Sequence, residues 1–233
     1  MTDVEFTSEL KAELLRTNAT DEDVALAAWV STKGDDRSYD PGRVEGLINF
    51  LMRDQHMSPF EHGSFTFLVE APIFVAREFM RHRTFSFNEW SGRYSELKPK
   101  FYLPDGNRNL IQVGKPGAYT FEPGSEFQHL TVNVKTKSAV HEAWDSYQYM
   151  LKEGIAKEVA RMVLPVNIYT AFYATCNPRN LMHFLMLRTE NEEATFVSHP
   201  QHEIAVIAEQ MEEALALAMP LTHTAWVKNG RAA

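Results

Sequence analysis

VNIYTAFYATCNPRNLMHFLMLR, residues 166–188, changes its period halfway along. From Val166 to Cys176 the residues are β-branched, aromatic or small, the composition of a strand. Asn177 then offers a capping side chain, and Pro178 takes the first helical position, where its missing N–H costs nothing. Leu181, Phe184 and Leu185 recur at helical spacing, so a strand hands over directly to a helix and the chain is of mixed α+β type. The next position on that apolar row is Arg188. An arginine there either snorkels past the helix end, helped by the helix dipole, or meets a partner in a cleft.

The reading extends outward from this stretch. Upstream, Val140, Ala143, Trp144, Tyr147, Met150 and Leu151 predict one strong helix over residues 138–165, broken by Pro165, with Arg161 near its end. Downstream, Ile204, Ile207, Ala208, Met211 and Leu215 predict a helix over 201–219. Thr20 and Asp40 are N-caps of two further helices, the second with Pro41 at its first position and Val44, Ile48, Leu51 and Met52 as its stripe. Residues 63–70, GSFTFLVE, alternate Phe65, Phe67 and Val69 against Ser64 and Thr66, as a half-buried strand does. Pro72 opens a helix expected to run through PIFVAREFMRHR, which would put Arg77 and Arg81 one turn apart on one face. Residues 98–127 are rich in proline and glycine without a sustained period, and read as an irregular excursion.

The chain has 233 residues, 44% of them hydrophobic, enough for a substantial core. Its formal charge of −8 argues against a general nucleic-acid surface, which needs broad phosphate neutralisation. No apolar run is long enough to span a bilayer, and the acidic opening MTDVEFTSEL lacks a secretion-signal pattern. The single cysteine, Cys176, excludes an internal disulfide and fits a reducing cytoplasm.

Against that acidic background RHRTFSFNEWSGRY, residues 81–94, concentrates Arg81, Arg83 and Arg93 among Ser86, Asn88, Ser91 and Gly92. Guanidinium groups are permanently charged forks that match phosphate oxygens, and converging ones call for an anion. A phosphorylated small molecule is the preferred ligand over surface pairing with Glu70, Glu78, Glu89 and Glu96. His56, Glu61, His62 and His82 invite a metal, but their spacing fits no recognised zinc pattern. Two other readings stay open: a binding module that stacks bases on Phe85, Phe87 and Trp90, and an ion-pair network at an oligomer interface.

The same residues resemble the signature of the flavin-dependent thymidylate synthases, R-H-R, seven residues, then S, met by Arg81, His82, Arg83 and Ser91. HMSPFEH, residues 56–62, resembles the family's H-x-[ST]-P-F-E-H segment, and residues 160–188 its C-terminal block. The resemblance implies an FAD enzyme that methylates dUMP to dTMP, with 5,10-methylenetetrahydrofolate as carbon donor and NADPH as reductant. It implies no cysteine nucleophile, no metal, and a cytoplasmic homotetramer with active sites shared between subunits. The implied fold is a central, mostly antiparallel sheet packed by long helices, in one α+β domain over 1–233. Carried over, Ser58, Arg81, His82, Arg83, Glu89, Asn177, Arg179 and His183 would contact FAD. Glu78, Arg81, Ser91, Gly92, Arg93, Arg161 and Arg188 would hold dUMP, with Arg188 as the catalytic residue that activates the uracil ring. Glu78 stands where the family commonly has glutamine, and the connection after Arg188 is longer than usual.

Overall fold

The computed structural model describes residues 3–34, 38–115 and 118–233. They group into two compact units, each discontinuous in sequence. The first comprises residues 1–10, 70–78 and 89–171, the second 11–69, 79–88 and 172–233.

In the first unit β1 (Glu5–Thr7) pairs in parallel with β5 (Lys100–Tyr102), Glu5 opposite Lys100. A core gathers beside them: Phe101, Val140, Trp144, Tyr147, Ala160 and Ile168 are all buried. Val140, Trp144 and Tyr147 come from a 27-residue helix, α4 (Glu126–Lys152), whose start is fixed by a reciprocal capping box between Ser125 and Gln128. Gly154, at φ 78°, ends it: the Ile155 N–H reaches back to the Met150 carbonyl, a closure that favours glycine. A short helix, α5 (Lys157–Ala160), and a 3₁₀ turn (Arg161–Val163) follow. Arg161 therefore opens a separate turn rather than ending a long helix. The expected helix over 138–165 thus begins twelve residues earlier, at 126 against 138, and stops at Lys152. Its first half showed no periodicity because no residue from 126 to 139 is buried.

Residues 98–127 are not irregular throughout. Besides β5 they hold a hairpin of β6 (Ile111–Lys115) and β7 (Ala118–Glu122), antiparallel with Ile111 opposite Glu122. Its residues are largely exposed, so no buried face imposed an alternation.

In the second unit β2 (Lys11–Thr17) begins a four-stranded sheet ordered β2-β3-β8-β4. The others are β3 (Phe65–Pro72), β8 (Tyr169–Cys176) and β4 (Ser86–Glu89); residues 70–72, 169–171 and 89 of these strands are counted with the first unit. Thr66 is buried where an outward polar residue was expected, and its hydroxyl is 3.0 Å from that of Thr175 on the neighbouring strand. Helices α1 (Asp21–Lys33), α2 (Pro41–Arg53), α6 (Pro178–Arg188), α7 (His202–Ala218) and α8 (Pro220–Lys228) belong to the same unit. The Asp21 carboxylate, in the first turn of α1, accepts from the Leu221 and Thr222 N–H groups at the start of α8 (2.9 Å each). Gly63 lets its segment approach α1's lead-in: a Cβ there would lie 2.5 Å from the Ala19 Cβ and 2.6 Å from its Cα. Mixed α+β architecture is as expected from the sequence.

The helix opened by Pro72 departs most from expectation. α3 spans only Ile73–Phe79; the His82 N–H then closes onto the Phe79 carbonyl and the Phe85 N–H onto that of His82. Turns replace the expected final helical turn, so Arg77 and Arg81 do not share a helix face. The cause lies in side-chain burial. Phe79 is fully buried with its ring centroid 5.7 Å from Phe85, 5.9 Å from Phe87, 5.4 Å from Phe172 and 4.5 Å from Phe184. A straight helix would carry Phe85 away from that cluster. Phe85 is buried and stacks at 6.0 Å on Phe87, which is half-buried, so these two rings pack with each other rather than forming an open platform for bases.

Candidate functional site

The first unit contains a cavity of about 550 Å³ lined by, among others, Glu89, Ser91, Gly92, Glu158 and Arg161. Glu89 ends β4, and the chain then folds into a tight turn: the Tyr94 and Ser95 N–H groups both donate to the Ser91 carbonyl (3.1 and 3.2 Å). Trp90 anchors the turn by donating its indole N–H to Ser95 Oγ at 2.5 Å. Gly92 is buried, and a Cβ there would crowd the Leu97 side chain at 3.2 Å. The result is a short loop with Ser91 and Gly92 on the cavity wall. Arg93 pairs with Glu158, Nε to Oε2 at 2.9 Å, both half-exposed. Arg161 brings a second exposed guanidinium from the 3₁₀ turn.

Thr170 and Glu158 also line the cavity and are not among the site residues expected from the sequence. Thr170, buried on β8, donates its hydroxyl to Glu89 Oε1 at 2.8 Å and so orients that carboxylate. Its signal was available: Thr170, Phe172, Ala174 and Cys176 form one buried row of the strand, in which a hydroxyl needs a partner. Glu158 carried none, because an exposed glutamate on a four-residue helix is indistinguishable from surface. Glu89 lines the cavity together with Ser91, Gly92 and Arg161, three of the seven residues expected for dUMP; Arg93 is not among the lining residues. Glu78, half-buried on α3, is not among the lining residues.

The second unit gathers Arg81, His82, His183 and Arg188. The capped helix explains part of this arrangement. Asn177 accepts from the Asn180 N–H at 2.9 Å, which fixes the start of α6 and commits the Asn177 side-chain oxygen to the cap. Leu181, Phe184 and Leu185 are fully buried, as expected, and Arg188 follows on their row as the last residue of α6. Its Nε donates to His82 Nε2 at 3.0 Å. The His82 ring is almost enclosed, 4.8 Å from the Phe184 ring and edge-on. Burial first, and then the positive charges of Arg188, His183 and Arg81, push the His82 pKa down to about 4. At neutral pH its imidazole is therefore uncharged and able to accept the Arg188 proton donor. Arg179, on the first turn of α6, pairs with Glu61 at 2.5 Å. Ser58, Arg81, Arg83 and His183 are exposed.

A consequence is measurable. Between pH 6.5 and 4 the unfolded chain takes up a proton at His82 that the folded chain refuses. Stability should fall as pH drops through that window, by roughly 3 kcal/mol in total at about 1.4 kcal/mol per pH unit. His82→Gln should flatten this segment of a pH series of urea midpoints; an unchanged slope would show that His82 is not the group responsible.

Cys176 is buried, and burial raises its thiol pKa strongly, so no thiolate is available near neutrality. Among the described residues no three or more His, Cys, Asp or Glu side chains gather as metal ligands, and no helix is long and apolar enough to cross a membrane.

The family described as thymidylate synthase complementing protein matches residues 13–221. A flavin-dependent thymidylate synthase of Streptomyces coelicolor is 54% identical over 235 residues, spanning 99% of this chain and 96% of the relative. One of Tropheryma whipplei is 48% identical over 231 residues, 98% of this chain and 96% of the relative. The crystal structure of a UMP/dUMP methylase, PolB from Streptomyces cacaoi, bound with 5-Br UMP, aligns with a TM-score of 0.93 at 51% identity, covering 99% of both chains. The same protein bound with 5-Br dUMP aligns with a TM-score of 0.93 at 52% identity, covering 98% of this chain and 99% of that one.

Proposed function

The chain belongs to the thymidylate synthase complementing protein family, and from that membership we propose that it is a flavin-dependent thymidylate synthase converting dUMP to dTMP. The observation that carries the reading is the likeness to proteins of that name along nearly the whole chain.

The donor set of the second unit fits FAD. Arg81, Arg83 and Arg179 offer exposed charged forks of the kind a pyrophosphate needs, and neutral His82 adds no charge of its own. Ser58, Arg81, His82, Arg83, Asn177, Arg179 and His183 would hold it, with Glu89. When bound, the flavin supplies the redox chemistry, drawing on NADPH. For dUMP, the loop at Ser91 and Gly92 and the guanidinium groups of Arg93 and Arg161 suit a phosphate. Arg93 would exchange its Glu158 partner for the nucleotide. Glu78, Arg81 and Arg188 complete the proposed set. Arg188 would stabilise negative charge developing on the pyrimidine, its plane fixed by the hydrogen bond to His82. The carbon donor would be 5,10-methylenetetrahydrofolate, and the assembly a cytoplasmic homotetramer sharing active sites. The two units interleave at residues 10/11, 69/70, 78/79, 88/89 and 171/172, which supports a single catalytic domain over 1–233.

A second substrate reading has its own support. The Streptomyces cacaoi protein is named for UMP as well as dUMP, so this chain would also accept the ribonucleotide.

The test is an assay of FAD-loaded protein with NADPH and 5,10-methylenetetrahydrofolate on dUMP, and in parallel on UMP. Methylated nucleotide from dUMP supports the proposal; none, from protein showing flavin absorbance, overturns it. Cys176→Ala should retain turnover within about twofold, since the thiol is a small buried apolar group. A large loss in a folded, flavin-loaded variant would reinstate a thiol nucleophile.

A further inference from the structure

Arg231, the third-last residue of the sequence, is only 6% exposed, an unusual setting for a guanidinium. Its Nη1 donates to Glu212 Oε1 at 2.8 Å, and its Nη2 donates to Glu212 Oε2 and, at 3.0 Å, to Thr189 Oγ1. The fork lies over the Trp226 ring, 4.3 Å from its centroid. Its backbone sits at φ 58°, the left-handed region that non-glycine residues avoid, held there by an N–H bond to the Trp226 carbonyl at 2.9 Å. Glu212 also meets His223 Nε2 at 2.9 Å. Burial alone would raise the Glu212 pKa, but the hydrogen bonds from His223 and Arg231 hold it down at about 2, so the carboxylate stays charged.

A buried ion pair is weak evidence of stabilisation, since desolvation consumes much of the attraction. It does impose direction. Here the direction is spent on Thr189, itself buried, whose N–H and hydroxyl both donate to the Leu185 carbonyl, at 2.9 and 2.8 Å. Its hydroxyl oxygen accepts from Arg231, so donor and acceptor are both used. Thr189 turns the chain out of α6 at φ −111°, ψ 144°, and the residue before it is Arg188.

We propose that Arg231, fixed by Glu212 and acting through Thr189, is a positioning residue for Arg188, holding the last turn of α6 so that this guanidinium meets His82. Arg231 bonds the Thr189 side chain, one peptide away from Arg188. The catalytic consequence rests on the role given to Arg188 above, whereas the positioning itself does not.

The test separates the two. Thr189→Val keeps the shape and removes the hydroxyl; Thr189→Ser restores it. In the ligand-free protein, the His82 titration followed by NMR should move upward from about 4 in Thr189→Val, as Arg188 ceases to be held against the ring, and stay in place in Thr189→Ser. Arg81 and His183, the other neighbours that depress this titration, are untouched by the substitution, so the movement reports Arg188. In turnover of dUMP, Thr189→Val should lose about ten- to a hundredfold in kcat with a smaller change in KM, as expected for a group displaced by a fraction of an ångström to an ångström. A folded Thr189→Val with an unmoved His82 titration overturns the proposal, even if stability falls. If Thr189→Val does not fold, Glu212→Gln, which weakens the fork without removing it, takes the same readout, and an unmoved titration there overturns the proposal equally. A shifted His82 in a protein whose parent makes no dTMP would leave the positioning standing and remove the proposed reaction.

Discussion

Replacing Arg188 with alanine should lower dTMP formation by roughly two to three orders of magnitude, the scale associated with removing a preorganised donor from developing negative charge. The fold should survive. Arg188 is the terminal residue of α6, and the apolar row beneath it, Leu181, Phe184 and Leu185, stays buried without it. Truncation leaves the His82 Nε2 without its donor and removes the second of the causes depressing the His82 pKa; burial, the first, remains. The informative measurement is kcat of flavin-loaded variant and parent side by side, with thermal unfolding of both. A variant within threefold of the parent would take Arg188 out of the chemistry.

Phe79→Ala should cost about 3–5 kcal/mol of stability, the range for deleting a fully buried ring from a core that cannot collapse around the gap. Four aromatic neighbours, Phe85, Phe87, Phe172 and Phe184, come from β4, β8, α6 and the turn after α3, and none can close the gap alone. The loss should reach the candidate site, because the His82 N–H is bonded to the Phe79 carbonyl and the His82 ring rests on Phe184. Urea unfolding monitored by circular dichroism measures it; a loss below about 1 kcal/mol would mean that the cluster repacks, contrary to the rigidity assigned to it.

The sequence made the second unit readable where local chemistry and burial agree. Thr20, Asp40 and Asn177 each cap the helix expected of them, and the apolar rows expected of α2, α6 and α7 are buried. It misled where the deciding contact was distant. Nothing local stops α3 at Phe79; the stop follows from rings in β8 and α6, far along the chain. β1 and β5 are three-residue strands paired across more than ninety positions, Glu5 with Lys100, too short to show a period. α8 escaped notice because it follows α7 with a single residue, Met219, between them. Of the site, the arginines stood out because permanent charge is conspicuous in an acidic chain. Thr170, Thr189 and Arg231 did not, because their importance lies in what they touch.

The interleaving of the two units bears on how the polypeptide matures at the ribosome. By the time residue 171 has been added, every piece of the first unit exists in the nascent chain, whereas the second lacks residues 172–233, and with them α6, α7 and α8. Phe60, Phe65, Phe67 and Phe79 must therefore wait until residues 172–233 are made before their unit is whole, and until then they stay as half-made apolar surface of the kind that invites aggregation.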